Sequence, residues 1–210
     1  GGDGEGGRRT YDIESPDPEE FNRQAVGIIA KYNFAPTAVS RDNLLREGKD
    51  AKSIYGTGNT AIDALKTTVR DSYSHPELTW ASDARLIMIT AHRRENLGEP
   101  MREMFRAIRR IVDETPDLKV IYPMHKNPAV REMARACFGG QERIHMIEPR
   151  DVLDFHNVMA HAYLIMTDSG GIQEEAPALG KPVLVMRDTT ERPEGVVAGT
   201  LKLVGTDENT

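Results

Sequence analysis

The chain has 210 residues, an apolar share of 39%, and 27 basic against 33 acidic side chains, a net charge of −6. That length buries a sizeable core, roughly 70% of the unfolded surface, and the composition excludes a disordered chain, a collagen and a disulfide-stapled miniprotein. No run of about 20 apolar residues exists to cross a bilayer as a helix, and the acidic balance makes nucleic acid and anionic membranes poor partners, leaving anion binding to a local site. The lone cysteine, Cys137, has no internal partner and suits a reducing compartment. The first residues are glycine-rich and lack the apolar core of a secretory signal.

Residues 1–7, Gly-Gly-Asp-Gly-Glu-Gly-Gly, read as a flexible end, because glycine is entropically expensive to order. Pro18, Glu19 and Glu20 open a run with Phe21, Val26, Ile29 and Tyr32 at helical spacing. A second helix is predicted over 41–47, between a Ser40 cap and Gly48, and a third from Thr60 to about Val69. From Ala84 onward the pattern alternates. Apolar runs at 86–90, 119–123, 143–147, 162–167 and 182–186 read as strands, and 200–205 is a candidate sixth. Helical stretches lie between them at about 99–114, 127–137, 151–160 and 170–179. Near-continuously apolar strands imply a sheet covered on both faces, and the alternation implies a parallel sheet of βαβ units. The fold class is α/β, a doubly wound parallel sheet over 58–210. Residues 1–57 carry too few elements for a core of their own and read as the tail of another domain.

Ligands of open parallel sheets bind beyond the carboxyl ends of the strands, so the residues after each strand carry the functional signal. After 86–90 comes Ala91-His92-Arg93-Arg94-Glu95-Asn96, either a phosphate site or a solvated charged loop. His125 follows the next strand, where Asn127-Pro128 also makes a helix start. Asp168-Ser169-Gly170-Gly171 lies between a strand and a helix; it reads as an anion cradle or as a tight turn with a serine cap. Glu174 and Glu175 either reach ribose hydroxyls or complement the helix dipole. Phe155 either flanks a base or packs in the core. His145, inside a strand, reads as structural. The polar loop 187–195 is a candidate lid. The sequence holds no GxGxxG, GxxxxGK[ST], HExxH or GxSxG motif and no cysteine cluster, so no metal or nicotinamide site is indicated.

Four strings in one order carry a more specific signal: Gly58 through Leu65, Thr90 through Asn96, Asp168 through Gly171 with Gln173 to Pro177, and Arg187 through Gly195. Together they closely resemble the non-hydrolysing UDP-N-acetylglucosamine 2-epimerase family, from Arg9 onward. The resemblance implies a glycosyltransferase-B-like fold, with 58–210 as the Rossmann-like, UDP-binding second domain and 1–57 as a remnant of the first. It implies interconversion of UDP-GlcNAc and UDP-ManNAc by elimination and re-addition of UDP through 2-acetamidoglucal, with no cofactor and no metal. Motif by motif, it assigns His92 to the diphosphate with Arg94 beside it, Phe155 to the uracil, and Ser169, Gly170 and Gly171 to phosphate. Glu175 falls to the ribose, Arg192 to the sugar–phosphate region, and Glu5 and Glu19 to the acid–base carboxylates. The family further implies a cytoplasmic homodimer that serves cell-envelope polysaccharide biosynthesis. The sequence departs from the pattern where an early arginine and an acid–base aspartate have no counterpart, where Asp3 and glycines replace a histidine and apolar residues, and where the closing helices are missing. It therefore reads as truncated at both ends. The alternatives are a non-catalytic UDP-sugar-binding fragment and a glycosyltransferase of the same architecture.

Overall fold

The computed structural model describes residues 1–93 and 96–209, which divide into two compact units. The first comprises 1–63 with 189–194, and the second 64–188 with 195–210. This division falls a few residues later than the expected boundary after 57, and it assigns part of the 187–195 loop to the first unit. Among the described residues no helix is long and apolar enough to cross a membrane.

In the first unit, β1 (Gly2–Asp3), β2 (Tyr32–Ala35) and β3 (Ile54–Gly56) form a parallel sheet in that order. Helix α1 (Glu19–Ile29) joins the first two strands, and α2 (Ala38–Arg46) precedes the third. A small core forms from Ala35, Leu44 and Ile54, so these residues do cluster apolar side chains. The glycine run is not a free end: Gly2 and Asp3 pair with Tyr32 and Asn33. Gly7 sits at φ +81°, and a Cβ there would stand 1.9 Å from the Ser40 carbonyl oxygen. Here glycine supplies both the left-handed backbone and the close approach, so its entropic cost is met by contacts no other residue could make. Tyr32 belongs to β2 rather than to the helix, and α1 leaves Phe21, Ile28 and Ile29 exposed. The second helix starts earlier than expected. Thr37 is its cap, accepting the Ser40 backbone N–H, so Ser40 lies inside the first turn.

The second unit is built on six parallel strands: β4 (Arg85–Thr90), β5 (Leu118–Pro123), β6 (Ile144–Ile147), β7 (Leu164–Thr167), β8 (Val183–Val185) and β9 (Leu201–Leu203). Their spatial order is β6-β5-β4-β7-β8-β9. All six coincide with the apolar runs read from the sequence. The helices are α3 (Thr60–Thr68), from residue 64 onward, α4 (Pro76–Trp80), α5 (Glu99–Glu114), α6 (Pro128–Phe138), α7 (Val152–His161), α8 (Ile172–Ala178) and α9 (Pro193–Val197), from residue 195 onward. Alternation along β4 divides the core between the two sheet faces. Ile87 and Ile89 pack with Met101, Phe105 and Ile108 of α5, while Leu86 and Met88 pack with Val158 and Met159 of α7. Asn127 and Asp151 cap α6 and α7 with side-chain oxygens, so both helices begin just beyond strand ends. Helix α4 has no counterpart in the sequence reading, because five residues are too short to show a period. The 187–195 loop ends in the first turn of α9 rather than staying irregular.

Gly7 and Gly48 separate the two uses of glycine, since Gly48 at φ +84° has open space where a Cβ would go. Gly7→Ala is expected to cost about 3 kcal/mol through strain and overlap together, and Gly48→Ala about 1 kcal/mol through conformation alone. Urea unfolding of the two variants checks this; equal losses would mean that the approach to Ser40 constrains nothing.

Candidate functional site

The strand order of the second unit reverses at β4, which pairs with β5 on one side and β7 on the other. The loops that leave β4 and β7 therefore emerge side by side, at the place where open α/β sheets bind ligands. Asp168, the first residue after β7, is fully buried. Its carboxylate accepts the backbone N–H of His92 at 3.0 Å and of Arg93 at 2.9 Å, and the Asn96 side-chain amide at 3.3 Å. Asn96, also buried, donates to the Met186 carbonyl at 3.4 Å after β8. One buried charge thus fixes the loops after two strands and touches a third. A carboxylate is suited to this because it offers about four acceptor sites in one place. The His92 ring remains 44% exposed, with Nδ1 3.4 Å from Asp168 Oδ1. The Tyr122 hydroxyl on β5 donates to the Ala91 carbonyl at 3.1 Å. Burial, and then the Asp168 charge, push the Tyr122 phenol well above its ordinary value, so it stays a donor.

A cavity of about 400 Å³ opens at these strand ends, a size suited to a small ligand. His92, His125, Lys126 and Arg150 supply its polar side, and Phe155 and Ile172 part of its apolar side. No carboxylate lines it among the described residues. A chain of net charge −6 thus carries a basic concavity here, the local arrangement an anion requires. The His92 and His125 rings lie nearly parallel, 6.0 Å between centroids and 18° between planes. Ser169 also lines the cavity, and its N–H donates to Thr167 Oγ1 at 2.9 Å. Gly170 is buried, and Gly171 has helical backbone (φ −62°, ψ −43°), so conformation does not demand glycine there. A Cβ at Gly171 would meet Glu175 Oε1 at an ordinary contact distance of 3.8 Å. Phe155 packs against the core and also lines the cavity. Glu175 is half-buried and does not line the cavity; its Oε2 is 3.4 Å from Nε2 of the buried His156. His156 Nδ1 is 2.8 Å from Thr68 Oγ1 in turn.

The remaining expected residues belong to the first unit. Glu5 follows β1, half-exposed, with Arg8 Nη1 2.7 Å from Oε1 and Arg23 Nε 3.2 Å from Oε2. Partial burial works against its charge, but Arg8, Arg23 and Arg192 outweigh it and hold the Glu5 carboxyl below the usual range. Glu19 is the first residue of α1 and is half-buried. Arg192 is buried and ion-paired with Glu191. A second cavity, about 380 Å³, lies within this unit at the carboxyl ends of its strands, with Glu5, Arg8, Asn59 and Thr60 on its wall. The expected residues thus fall into two groups: His92, Phe155, Ser169, Gly170, Gly171 and Glu175 in the second unit, and Glu5, Glu19 and Arg192 in the first. Arg94 lies outside the described residues. Sequence reasoning gave no role to Asp168, Asn96, Lys126, Arg150 or Arg23. Lys126 and Arg150 were accessible to it, since each stands three residues past a strand end. The role of Asp168 depends on burial, which no spacing shows.

A family model described as UDP-N-acetylglucosamine 2-epimerase matches residues 4–210. The chain belongs to this family. Over 204 residues it is 64% identical to the UDP-N-acetylglucosamine 2-epimerase of Bacillus subtilis (strain 168), an alignment that covers 97% of this chain and 54% of that one. An S. aureus protein solved with UDP shares 56% identity and a TM-score of 0.97, over 99% of this chain and 57% of its own. The Neisseria meningitidis UDP-GlcNAc 2-epimerase, solved with UDP-GlcNAc, shares 42% identity and a TM-score of 0.92, over 99% of this chain and 58% of its own. The chain spans about half the length of these relatives. The α/β class with parallel sheets and the family resemblance carried by the four strings both hold.

Asp168 makes a stability prediction. Asp168→Ala strands two backbone N–H groups and a buried amide, an expected loss of about 3 kcal/mol or more. Asp168→Asn keeps one acceptor and should lose less. Denaturant unfolding of both variants tests this; a wild-type midpoint for Asp168→Ala would show that the carboxylate does not hold the loops.

Proposed function

We propose that this chain binds UDP-GlcNAc and takes part in its interconversion with UDP-ManNAc. The observation that carries the reading is the cavity at the β4–β7 switch point, lined by His92, His125, Lys126 and Arg150, in a family with a member solved with UDP-GlcNAc. The diphosphate takes the basic wall beside His92 and the Ser169–Gly171 turn, and Phe155 flanks the uracil. Glu175, steadied by His156, accepts ribose hydroxyls, and Arg192 serves the sugar–phosphate region.

The hydrogen on C2 of the sugar is weakly acidic, so epimerisation needs a strong pull on the leaving group. In the route we propose, the C1–O bond breaks and its electron pair leaves with UDP. A carboxylate takes the C2 proton, and the C–H electrons form the C1–C2 double bond of 2-acetamidoglucal. UDP then adds back to C1 while a proton arrives at C2 from the opposite face. His92 and the turn amides stabilise the negative charge that grows on the departing diphosphate. Glu5, ionised beside its arginines, and Glu19 are the carboxylates that exchange the C2 proton in this route. The route uses neither metal nor nicotinamide. We place the protein in the cytoplasm, as a homodimer supplying cell-envelope polysaccharide synthesis.

Binding without turnover is the second reading, favoured by a cavity that lies wholly within the second unit. Proton NMR of UDP-GlcNAc incubated with the chain separates the two. Growth of UDP-ManNAc resonances is the result expected of an epimerase. Substrate broadening with no new signals leaves a binding fragment, and neither effect overturns both readings. In any preparation that turns over, His92→Ala should lower the rate about 100-fold; an unchanged rate would remove His92 from the mechanism.

A further inference from the structure

Glu5 has an unusual setting for a carboxylate on a glycine-rich turn. The Asp3 carboxylate accepts its backbone N–H at 3.1 Å, and Arg8 and Arg23 hold its two oxygens, one each. Arg8 lies three residues along the same turn, so the chain itself keeps it near. Arg23 comes from the second turn of α1, 18 residues away, and its side chain is only 11% exposed. It has a second anchor: Nη2 lies 3.9 Å from Oε1 of Glu191, whose side chain is fully buried. Glu191 is ion-paired with Arg192 in turn. The charged groups around Glu5 are therefore Asp3, Arg8, Arg23 and Arg192, with Glu191 behind the arginines.

Burial and the ionic contact with Glu191, at 3.9 Å longer than a hydrogen bond, confine the Arg23 guanidinium, and its Nε donates to one oxygen of Glu5 at 3.2 Å. We propose that Arg23 is the positioning residue for Glu5: confined beside Glu191, it aims the Glu5 carboxylate for proton transfer. This assignment rests on the reading of Glu5 as an acid–base group. It links α1, the β1 turn and residue 191 of the 189–194 segment into one device within the first unit. Lysine could replace the charge of Arg23 but not its fork.

The test is carboxyl-carbon NMR titration of Glu5, assigned with Glu5→Gln, in the wild-type chain, Arg23→Gln and Arg23→Lys. Amide spectra first establish that each variant is folded. In the wild type the carboxylate persists as pH falls until the lowered native value is crossed. Removing the Arg23 charge should raise that midpoint by about one pH unit. Arg23→Lys, keeping charge without the fork, should raise it by less. A general structural role would leave the Glu5 midpoint in place, so a Glu5 midpoint within about 0.2 unit of wild type in Arg23→Gln overturns the proposal. If that variant does not fold, an unmoved midpoint in Arg23→Lys overturns it instead. The readout needs no turnover. A shifted midpoint in a chain that converts no UDP-GlcNAc would uphold the Arg23–Glu5 link while sinking the epimerase reading.

Discussion

The second unit depends on one buried negative charge. Asp168 lies at the point where a parallel sheet reverses its strand order, and its carboxylate collects N–H groups from the loop after β4. A buried carboxylate without partners would be prohibitively costly. With these donors it becomes a fastener that holds the His92 and Ser169 loops at a set spacing. The consequence is functional: His92 presents its ring to the cavity from a backbone that is already fixed. Preorganised donors of this kind cost no reordering when a ligand's charge arrives.

Around that fastener the electrostatics are local rather than global. The chain is acidic, yet the cavity presents two histidines, a lysine and an arginine. The first unit shows the complementary device. There, acidic side chains are held by arginines: Glu5 by Arg8 and Arg23, and Glu191 by Arg192.

Much of this was legible in the sequence. The six strands of the second unit declared themselves because strands covered on both faces are apolar along their length. The turn at Asp168–Gly171 and the basic loop at His92 were visible because polar residues at strand ends break an otherwise apolar pattern. His145 read correctly as structural: it stacks on Trp80 at 3.5 Å and pairs with Glu77 at 2.6 Å. The failures share a cause. The glycine run was read from its entropy, but Gly7 is held by its fit against Ser40. Ser40 was read as a cap by residue type, but Thr37 occupies the capping geometry. The apolar spacing of α1 does form a helix, yet Phe21 and Ile29 stay exposed. In each case a tertiary contact, or its lack, decided what local chemistry left open. The Asp168 and Arg23 roles were invisible for the same reason, since each depends on partners many residues away.

The most direct test of the Asp168-centred site is to add UDP to the isotopically labelled chain and follow its backbone amides by NMR. The site described here predicts the largest shifts at 91–93 and 169–171, with smaller ones near Lys126, Arg150 and Phe155. Shifts centred elsewhere in the second unit, with these amides unmoved, would contradict it.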